Sequence, residues 1–287
     1  MNILEFKNEL KEKSNNPEKL LKQYDEFRVY QEIVMKTLNE FHRICEKNEI
    51  HYQLAYGSLL GAIRDGGQIP WDYDSDVFVP FEEREKLIEA LKRDLDKDYY
   101  FYCPEINEKC RHVFIRLAPK GYRTEIIHVD VFYLTGVPED IEERKAFKQR
   151  IRVLSDRRYD KLVKIHDEIR SIRTNVEKII HKFKVLNVDT NKDHKEFVNE
   201  CNKYTFLTSN HSSSADTFIE LYDFETEMFL ETKIIKTNFG EFRIPVRYEE
   251  ILNNIYGDYK KIYPLESRIK EFTTSLSNLD YYAKIDK

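Results

Sequence analysis

Hydrophobic residues recur at helical spacing in several parts of this chain. Within residues 25–47, charged residues fill the gaps between apolar ones that stand three or four positions apart, namely Tyr30, Val34, Leu38, Phe41 and Cys45. This pattern is typical of an amphipathic helix. Residues 81–95 repeat it, and the densely charged segment 139–185 keeps an apolar stripe that predicts one or two long helices.

Other segments alternate apolar and polar residues, as strands do. The sequence predicts strands over 52–56, 74–79, 112–118 and 126–134, and a short helix over 59–64 capped by Ser58. Near the C-terminus it predicts a strand, a turn at Pro245 and a helix. Residues 203–216 are polar and are interpreted as a loop or lid. Strands that alternate with helices predict an α/β (α+β) fold, a mixed sheet flanked by helices with a helical insertion.

The stretch YGSLLGAIRDGGQIPWDYDSDVFVP, residues 56–80, concentrates negative charge directly after a glycine-rich loop. Asp74 and Asp76 lie two positions apart on a predicted strand, so their side chains project from the same face, and Asp72 lies at its entrance. Asp130 stands mid-strand between two valines, where an unpaired charge would be costly. Two acids on one strand and a third on another offer hard oxygen ligands, which predicts a Mg²⁺ or Mn²⁺ site at Asp74, Asp76 and Asp130.

Two other interpretations of these acids explain less. In an EF-hand calcium loop Asp72, Asp74 and Asp76 would be the first ligands, but Val77 stands where that loop needs glycine. A solvated acidic turn does not explain the apolar residues 77–79 or the mid-strand position of Asp130.

Composition narrows the class of protein. The 287 residues carry a formal net charge of −5, which gives no reason to expect nucleic-acid binding. The N-terminal residues are charged and lack the apolar core of a secretory signal, so we expect a cytoplasmic protein. Its four cysteines are then most simply reduced thiols, and a zinc site at Cys103 and Cys110 would need two ligands that the sequence does not offer.

A phosphate site is predicted beside the acids. Gly57 and Ser58 stand at the junction of a predicted strand and a short helix, where backbone N–H groups bind phosphate and glycine permits close approach. A phosphate cradle, an Asp-x-Asp strand and a distant third Asp, in this order, resemble the signature of the nucleotidyltransferase fold.

Longer motifs make the resemblance more specific. The chain is similar to the LicD family, whose G-[TS]-L-L-G-x-x-R core is matched by residues 57–64 and whose I-P-W-D-x-D-x-D motif is matched by 69–76. Residues 128–138 resemble its second acidic strand, and 255–264 its C-terminal Y-G-D-Y element. Tyr73 and Ser75 depart from the residues frequent in bacterial members, but neither departure removes a proposed metal ligand.

The LicD resemblance implies phosphotransfer from a CDP-activated donor. Bacterial members attach phosphorylcholine from CDP-choline to surface-glycan precursors, fukutin-type relatives transfer ribitol phosphate from CDP-ribitol, and CMP leaves in both reactions. By this resemblance Asp74 and Asp76 hold Mg²⁺ against the pyrophosphate, and Asp130 completes the metal shell or accepts the acceptor's proton. We expect phosphorylcholine transfer to a glycan or glycolipid hydroxyl. Transfer of ribitol or glycerol phosphate, nucleotidyl transfer, and non-catalytic nucleotide or glycan binding remain the alternatives.

Other residues are candidates for contacts with the substrates, together with Asp72, Gly57 and Ser58. Arg64 and Arg116 could form forked contacts with phosphate oxygens, and a structural salt bridge is an equal alternative for each. A choline group cannot donate a hydrogen bond and needs aromatic faces. The candidates are Trp71, Tyr73, Tyr256 and Tyr259, for each of which ordinary packing is the alternative.

The whole chain is expected to form one catalytic domain. Its parts are N-terminal helices over 1–48, a core over 49–136, a charged helical segment over 137–202 and a C-terminal part over 203–287 that completes the site. If the acceptor is lipid-linked, the basic residues within 150–164 could contact anionic headgroups at the inner face of the cell membrane. A solvated helix face is the other interpretation of that basic run.

Overall fold

In the computed structural model, which describes residues 1–122, 127–163, 183–216 and 218–285, the chain begins with two helices. The first, α1, spans Ile3–Lys13, and the second, α2, spans Pro17–Lys47. The side chains of Asn2 and Asn16 each accept a hydrogen bond from a backbone N–H of the following first turn, which stabilises a helix N-terminus. The helix predicted over 25–47 is confirmed, and the Asn16 cap with Pro17 makes it begin earlier.

The other helices surround the sheet. Their bounds are α3 Tyr56–Arg64, α4 Arg84–Asp94, α5 Ile141–Leu162, α6 Thr190–Cys201, α7 Glu227–Leu230, α8 Tyr248–Tyr256 and α9 Leu265–Ile285. Short 3-10 turns span Phe81–Glu83 and Phe206–Thr208. Of the predicted helical segment 139–185, α5 is confirmed, and residues 164–182 lie outside the described residues. None of the described helices combines the length and apolar character needed to cross a membrane.

The central sheet is mixed, as predicted. Its strands are β1 Gln53–Leu54, β2 Ser75–Pro80, β3 Tyr99–Tyr102, β4 Ile115–Pro119, β5 Val129–Val137, β6 His211–Ser214 and β7 Phe224–Glu225. The order is β1-β2-β5-β4-β3, and β2 runs parallel to β5. Both β4 and β6 are antiparallel to β5, β4 pairing with its first residues and β6 with its last. A separate hairpin joins β8 Thr232–Thr237 to β9 Gly240–Pro245.

Three local predictions are wrong. The strand predicted over 52–56 has only two residues, because Tyr56 already begins α3 with a φ of 40°. Ser58 is therefore inside α3 and is not its cap, a position taken by Ala55. The polar segment 203–216 is more than a loop, since it contains β6, whose backbone groups are satisfied by pairing with β5.

Aromatic packing fixes the loop that precedes β2. Trp71, only 2% exposed, lies on this loop, and its ring centroid is 5.3 Å from that of Phe6 in α1. Phe6 in turn contacts Phe272 of α9 with centroids 6.1 Å apart. Gln31, buried on the apolar side of α2, donates from Nε2 to the carbonyl oxygen of Ile69 at 3.1 Å and also to that of Asp72. The first and last helices thus hold the acidic loop in place.

Gly61 lets α3 pack against the backbone of the same loop. A Cβ at this position would lie 2.5 Å from the carbonyl oxygen of Gly67 and 2.8 Å from the backbone nitrogen of Ile69. Backbone atoms cannot rotate away, so we predict that Gly61→Ala lowers the free energy of unfolding by about 1–3 kcal/mol, as expected for an overpacked site. Denaturant unfolding measures this change.

Gly57→Ala, in the same helix, is the matched control. Its Cβ would meet Oδ2 of Asp72 at 2.7 Å, the end of a side chain that can rotate. We therefore expect a smaller loss of stability than in Gly61→Ala. Equal losses in the two variants would show that a general loss of glycine, and not the backbone contact, sets the effect.

Candidate active site

Two acids and an arginine lie side by side across three strands. Asp76 of β2 is opposite Asp130 of β5, which is opposite Arg116 of β4. Directly opposed residues project from the same face of a sheet, so the three form a row. Arg116 donates from Nε to Oδ1 of Asp130 at 2.7 Å and from Nη2 to Oδ2 at 3.2 Å. Burial would raise the pKa of Asp130, but Arg116 and His128 outweigh it and hold that pKa below its usual range.

The charges of Asp74 and Asp76 are not neutralised by a described basic residue in the way that Arg116 neutralises the charge of Asp130. Among the described residues no ion pair engages either carboxylate, and burial raises the pKa of both well above the ordinary value. Repulsion raises these pKa values further, from Asp72 and Asp130 on both acids and from Asp74 on Asp76. Among the described residues, the three acids Asp74, Asp76 and Asp130 therefore carry more negative charge than Arg116 neutralises.

Polar contacts hold the acidic strand to α3. The Oγ of Ser58 accepts a hydrogen bond from the backbone N–H of Asp76 at 2.8 Å. Gly57 leaves the space that Oδ2 of Asp72 occupies, since a Cβ there would be 2.7 Å from that oxygen. In the structure Gly57 and Ser58 thus position the acids, and their contact with a phosphate stays a prediction.

A cavity of about 570 Å³ opens beside the row of acids. Its charged walls are formed by Asp74, Asp76, Asp130, Asp156, Asp216, Arg111 and Arg116. Its aromatic walls are formed by Tyr56, His112, Phe114, Phe132, Tyr159, Phe218 and Tyr222. A concave site with aromatic walls and a few converging charges is suited to a small charged ligand.

The fifth acid of this cavity, Asp216, comes from the segment after β6. Ser214 lies opposite Leu134 of β5, and β6 runs antiparallel to β5, so Asp216 continues towards Asp130. Its Oδ2 accepts from the hydroxyl of Ser214 and its Oδ1 from the backbone N–H of Phe218, both at 2.5 Å. Burial raises the pKa of Asp216 to about 6, and the Asp130 charge adds to the rise.

Residues 49–166, which include four of the five acids that line this cavity, match the family described as LicD/FKTN/FKRP, nucleotidyltransferase domain. The chain carries a LicD-family domain. The LicD resemblance stated from the motifs is thereby confirmed. Asp216 and Tyr222 lie outside the matched residues, so residues 49–166 alone do not provide every wall of the cavity.

Two relatives extend the comparison. The chain is 23% identical over 266 residues to the lipopolysaccharide cholinephosphotransferase LicD of Haemophilus influenzae, an alignment that covers 84% of this chain and 94% of the relative. It is 28% identical over 100 residues to an uncharacterized protein of Rickettsia typhi, covering 32% of this chain and 31% of that protein. The first similarity extends well beyond the LicD domain.

Two of the predicted substrate-binding residues lie away from the cavity of the LicD domain. Arg64 pairs with Asp65, with 2.8 Å between Nη2 and Oδ2, so the structure shows the salt bridge that was its alternative role. Its guanidinium also lies 5.7 Å from the ring of Trp71, and that of Arg268 lies 5.1 Å from it. The aromatic surface of Trp71 is thus covered by protein.

The predicted tyrosines divide into two groups. Burial raises the pKa of Tyr256, and the charges of Asp76 and Asp72 raise it further, which places this side chain near the acids. The ring of Tyr73 lies 6.4 Å from that of His128, beside Asp130. Tyr259 is buried, packs against Lys260 at 5.6 Å, and does not line the cavity.

Three positioning or lining residues were not predicted. Gln31 can be recognised from the sequence as a candidate, because it is a polar residue on the apolar stripe of α2. Tyr56 was assigned to a strand, and its positive φ depends on tertiary packing. Asp216 stands in a polar segment without periodicity, so only the pairing of β6 with β5 reveals it.

The carboxylates fit a hard divalent cation in chemistry, because buried oxygen donors with excess negative charge are its usual ligands. Among the described residues, however, no group of three acidic, histidine or cysteine side chains is gathered closely enough to enclose a metal ion. Asp130 is held by Arg116 instead. The fit is therefore best at Asp74 and Asp76. All four cysteines are buried free thiols.

Part of the basic run within α5 is engaged in contacts with other parts of the protein. Arg158 is 1% exposed and donates to the backbone carbonyls of Cys110, Thr190 and Glu108. Arg157 pairs with Asp193 at 3.1 Å. These contacts tie α5 to its neighbours, and contact of this run with a membrane stays a prediction.

The raised pKa of Asp216 predicts a pH-dependent stability. The native state keeps the proton of Asp216 to about pH 6, whereas the unfolded chain releases it near pH 4. Native protein therefore binds more protons between these values, and stability falls as pH rises through them. We predict that Asp216→Asn gains stability relative to wild type between pH 4 and 7, by at most about 3 kcal/mol.

Denaturant unfolding at several pH values tests this change. Asp98→Asn, at an exposed position before β3, is the control and is expected to follow wild type. A constant difference between Asp216→Asn and wild type over this range would show that Asp216 does not hold its proton in the folded state.

Proposed function

We propose that this protein transfers phosphorylcholine from CDP-choline to a hydroxyl group of a surface-glycan or glycolipid precursor and releases CMP. The observation that carries the proposal is the uncompensated pair Asp74 and Asp76 beside the Asp130–Arg116 pair, in a cavity of about 570 Å³. It is supported by the similarity, over 84% of the chain, to a lipopolysaccharide cholinephosphotransferase.

The reaction forms one bond and breaks another. The acceptor oxygen attacks the phosphorus that bears choline, its proton is released, and the bond from that phosphorus to the CMP oxygen breaks, so that CMP leaves with the electron pair. When bound at Asp74 and Asp76, Mg²⁺ would neutralise charge that develops on the pyrophosphate. Mn²⁺ is the alternative ion, since both prefer oxygen ligands.

Arg116 and Asp130 have linked roles in this proposal. Asp130 accepts two hydrogen bonds from Arg116 and so fixes the guanidinium at the wall of the cavity, where it can contact a phosphate oxygen. The lowered pKa of Asp130 makes it a weak proton acceptor at neutral pH. We therefore assign Asp130 to holding Arg116 and to the edge of the metal site.

A donor screen tests the proposal. CDP-choline, CDP-ribitol, CDP-glycerol and CDP-ethanolamine are each incubated with Mg²⁺ and a crude glycan or glycolipid acceptor, and CMP and pyrophosphate are quantified. CMP release with CDP-choline preferred is expected. CMP release from another donor alone would overturn the choline assignment, and pyrophosphate release would indicate nucleotidyl transfer.

Asp76 offers the sharpest test of the metal assignment. Asp76→Asn keeps the shape of the side chain but removes one charge and one carboxylate oxygen. Because metal-mediated charge neutralisation contributes several kcal/mol to such a transition state, CMP release should fall at least about 100-fold. Without Mg²⁺ the variant should be as stable as wild type or more so, since repulsion with Asp74 and Asp130 is relieved.

Turnover and thermal midpoint are measured on the same samples, with and without Mg²⁺ and CDP. Wild type should be stabilised by the ligands through mass action, and Asp76→Asn much less. Asp98→Asn is the matched control and should behave as wild type. Near-normal turnover in Asp76→Asn would refute the metal assignment, and failure to fold would make Asp76 a structural residue.

A further inference from the structure

One wall of the cavity combines a buried carboxylate with aromatic rings. Asp216 is 1% exposed and lines the cavity. In the described part of the chain no lysine, arginine or histidine forms an ion pair with it, although Asp130 on the neighbouring strand is paired with Arg116. A buried carboxylate of this kind is costly without a cation, so a positively charged ligand would relieve it.

The aromatic part of this wall is formed by Tyr56 and Tyr222. Their ring centroids are 5.8 Å apart, and Tyr56 also packs edge-on against Phe132 at 5.4 Å. The charge of Asp216 raises the pKa of both phenols, in addition to burial, so both rings lie near the carboxylate. The loop that carries Tyr222 is held to β6, because Oγ of Ser213 donates to the carbonyl oxygen of Tyr222 at 2.7 Å.

The kind of cation follows from the hydrogen bonds of Asp216. Each carboxylate oxygen already accepts one short hydrogen bond, from Ser214 or from the backbone of Phe218. A cation whose charge is surrounded by methyl groups has no N–H donor, so it needs no hydrogen-bond acceptor from Asp216. Aromatic faces attract such a cation. Trp71, which directly precedes the acidic motif in sequence, is already covered by Arg64 and Arg268.

We propose that Asp216, Tyr56 and Tyr222 form the subsite that binds the quaternary ammonium group of the donor. This subsite rests on the proposed function, because only a choline-bearing donor carries such a group. Asp216 lies along β5 from Asp130, so the ammonium group would lie next to the phosphate that is transferred. The subsite would distinguish choline from neutral polyol head groups by charge.

Calorimetric titration of the protein with CDP-choline and with CDP, in the presence of Mg²⁺, tests this subsite. Both ligands share the nucleotide and the pyrophosphate, and only CDP-choline carries the cation. For Asp216→Asn we expect the Kd of CDP-choline to rise about tenfold or more and the Kd of CDP to stay within about twofold. Tyr222→Leu should show the same selective loss, and Tyr222→Phe, which keeps the aromatic face, should bind as wild type.

The other outcomes decide against the subsite. Equal weakening of CDP and CDP-choline would assign Asp216 to the nucleotide or to folding, and the Tyr222 variants then show whether the wall has any role. Unchanged CDP-choline affinity with a large fall in turnover would make Asp216 a proton acceptor and overturn the subsite while leaving the proposed function intact. A wild-type protein that binds CDP and turns over only neutral donors would overturn both.

Discussion

Excess negative charge on one face of the central sheet is the constraint on which the site depends. The parallel register of β2 and β5 brings Asp76 opposite Asp130, about 5 Å away in the spacing of adjacent strands. The fold tolerates this only because β4 supplies Arg116 on the other side of Asp130. Within the part of the chain that the structure describes, no basic residue forms an ion pair with Asp74 or Asp76, which is a property of binding sites more than of structural ones.

The acids are held in this arrangement by contacts with residues of several helices and of the preceding loop. Gln31 anchors the loop before β2 through two carbonyl oxygens, and Ser58 anchors the start of the strand. Trp71 is held among Phe6, Arg64 and Arg268. Because these contacts come from α1, α2, α3 and α9, the loop is fixed by elements from both ends of the chain, and repulsion among the acids cannot easily open it.

The sequence predicted what depends on local pattern. Alternation along a strand is a local property, so Asp74, Asp76 and Asp130 were found from the residues around them, and the mixed sheet followed from the order of strands and helices. Pairing across the sheet is not local, so neither the contact between Arg116 and Asp130 nor the arrival of Asp216 beside it could be derived. The prediction of Ser58 as a cap is wrong because α3 begins at Tyr56, which has a positive φ, three residues before the predicted start.

The wall that carries Asp216 is attached to the rest of the sheet by a short strand. β6 has four residues and shares one edge of β5 with β4, and it lies outside residues 49–166. Replacing the segment that follows β6 would alter that wall while the register of β2, β5 and β4 is preserved. Under the proposed function, a change confined to this small edge of the sheet would alter the choice of donor while the row of acids on β2 and β5 stays in place.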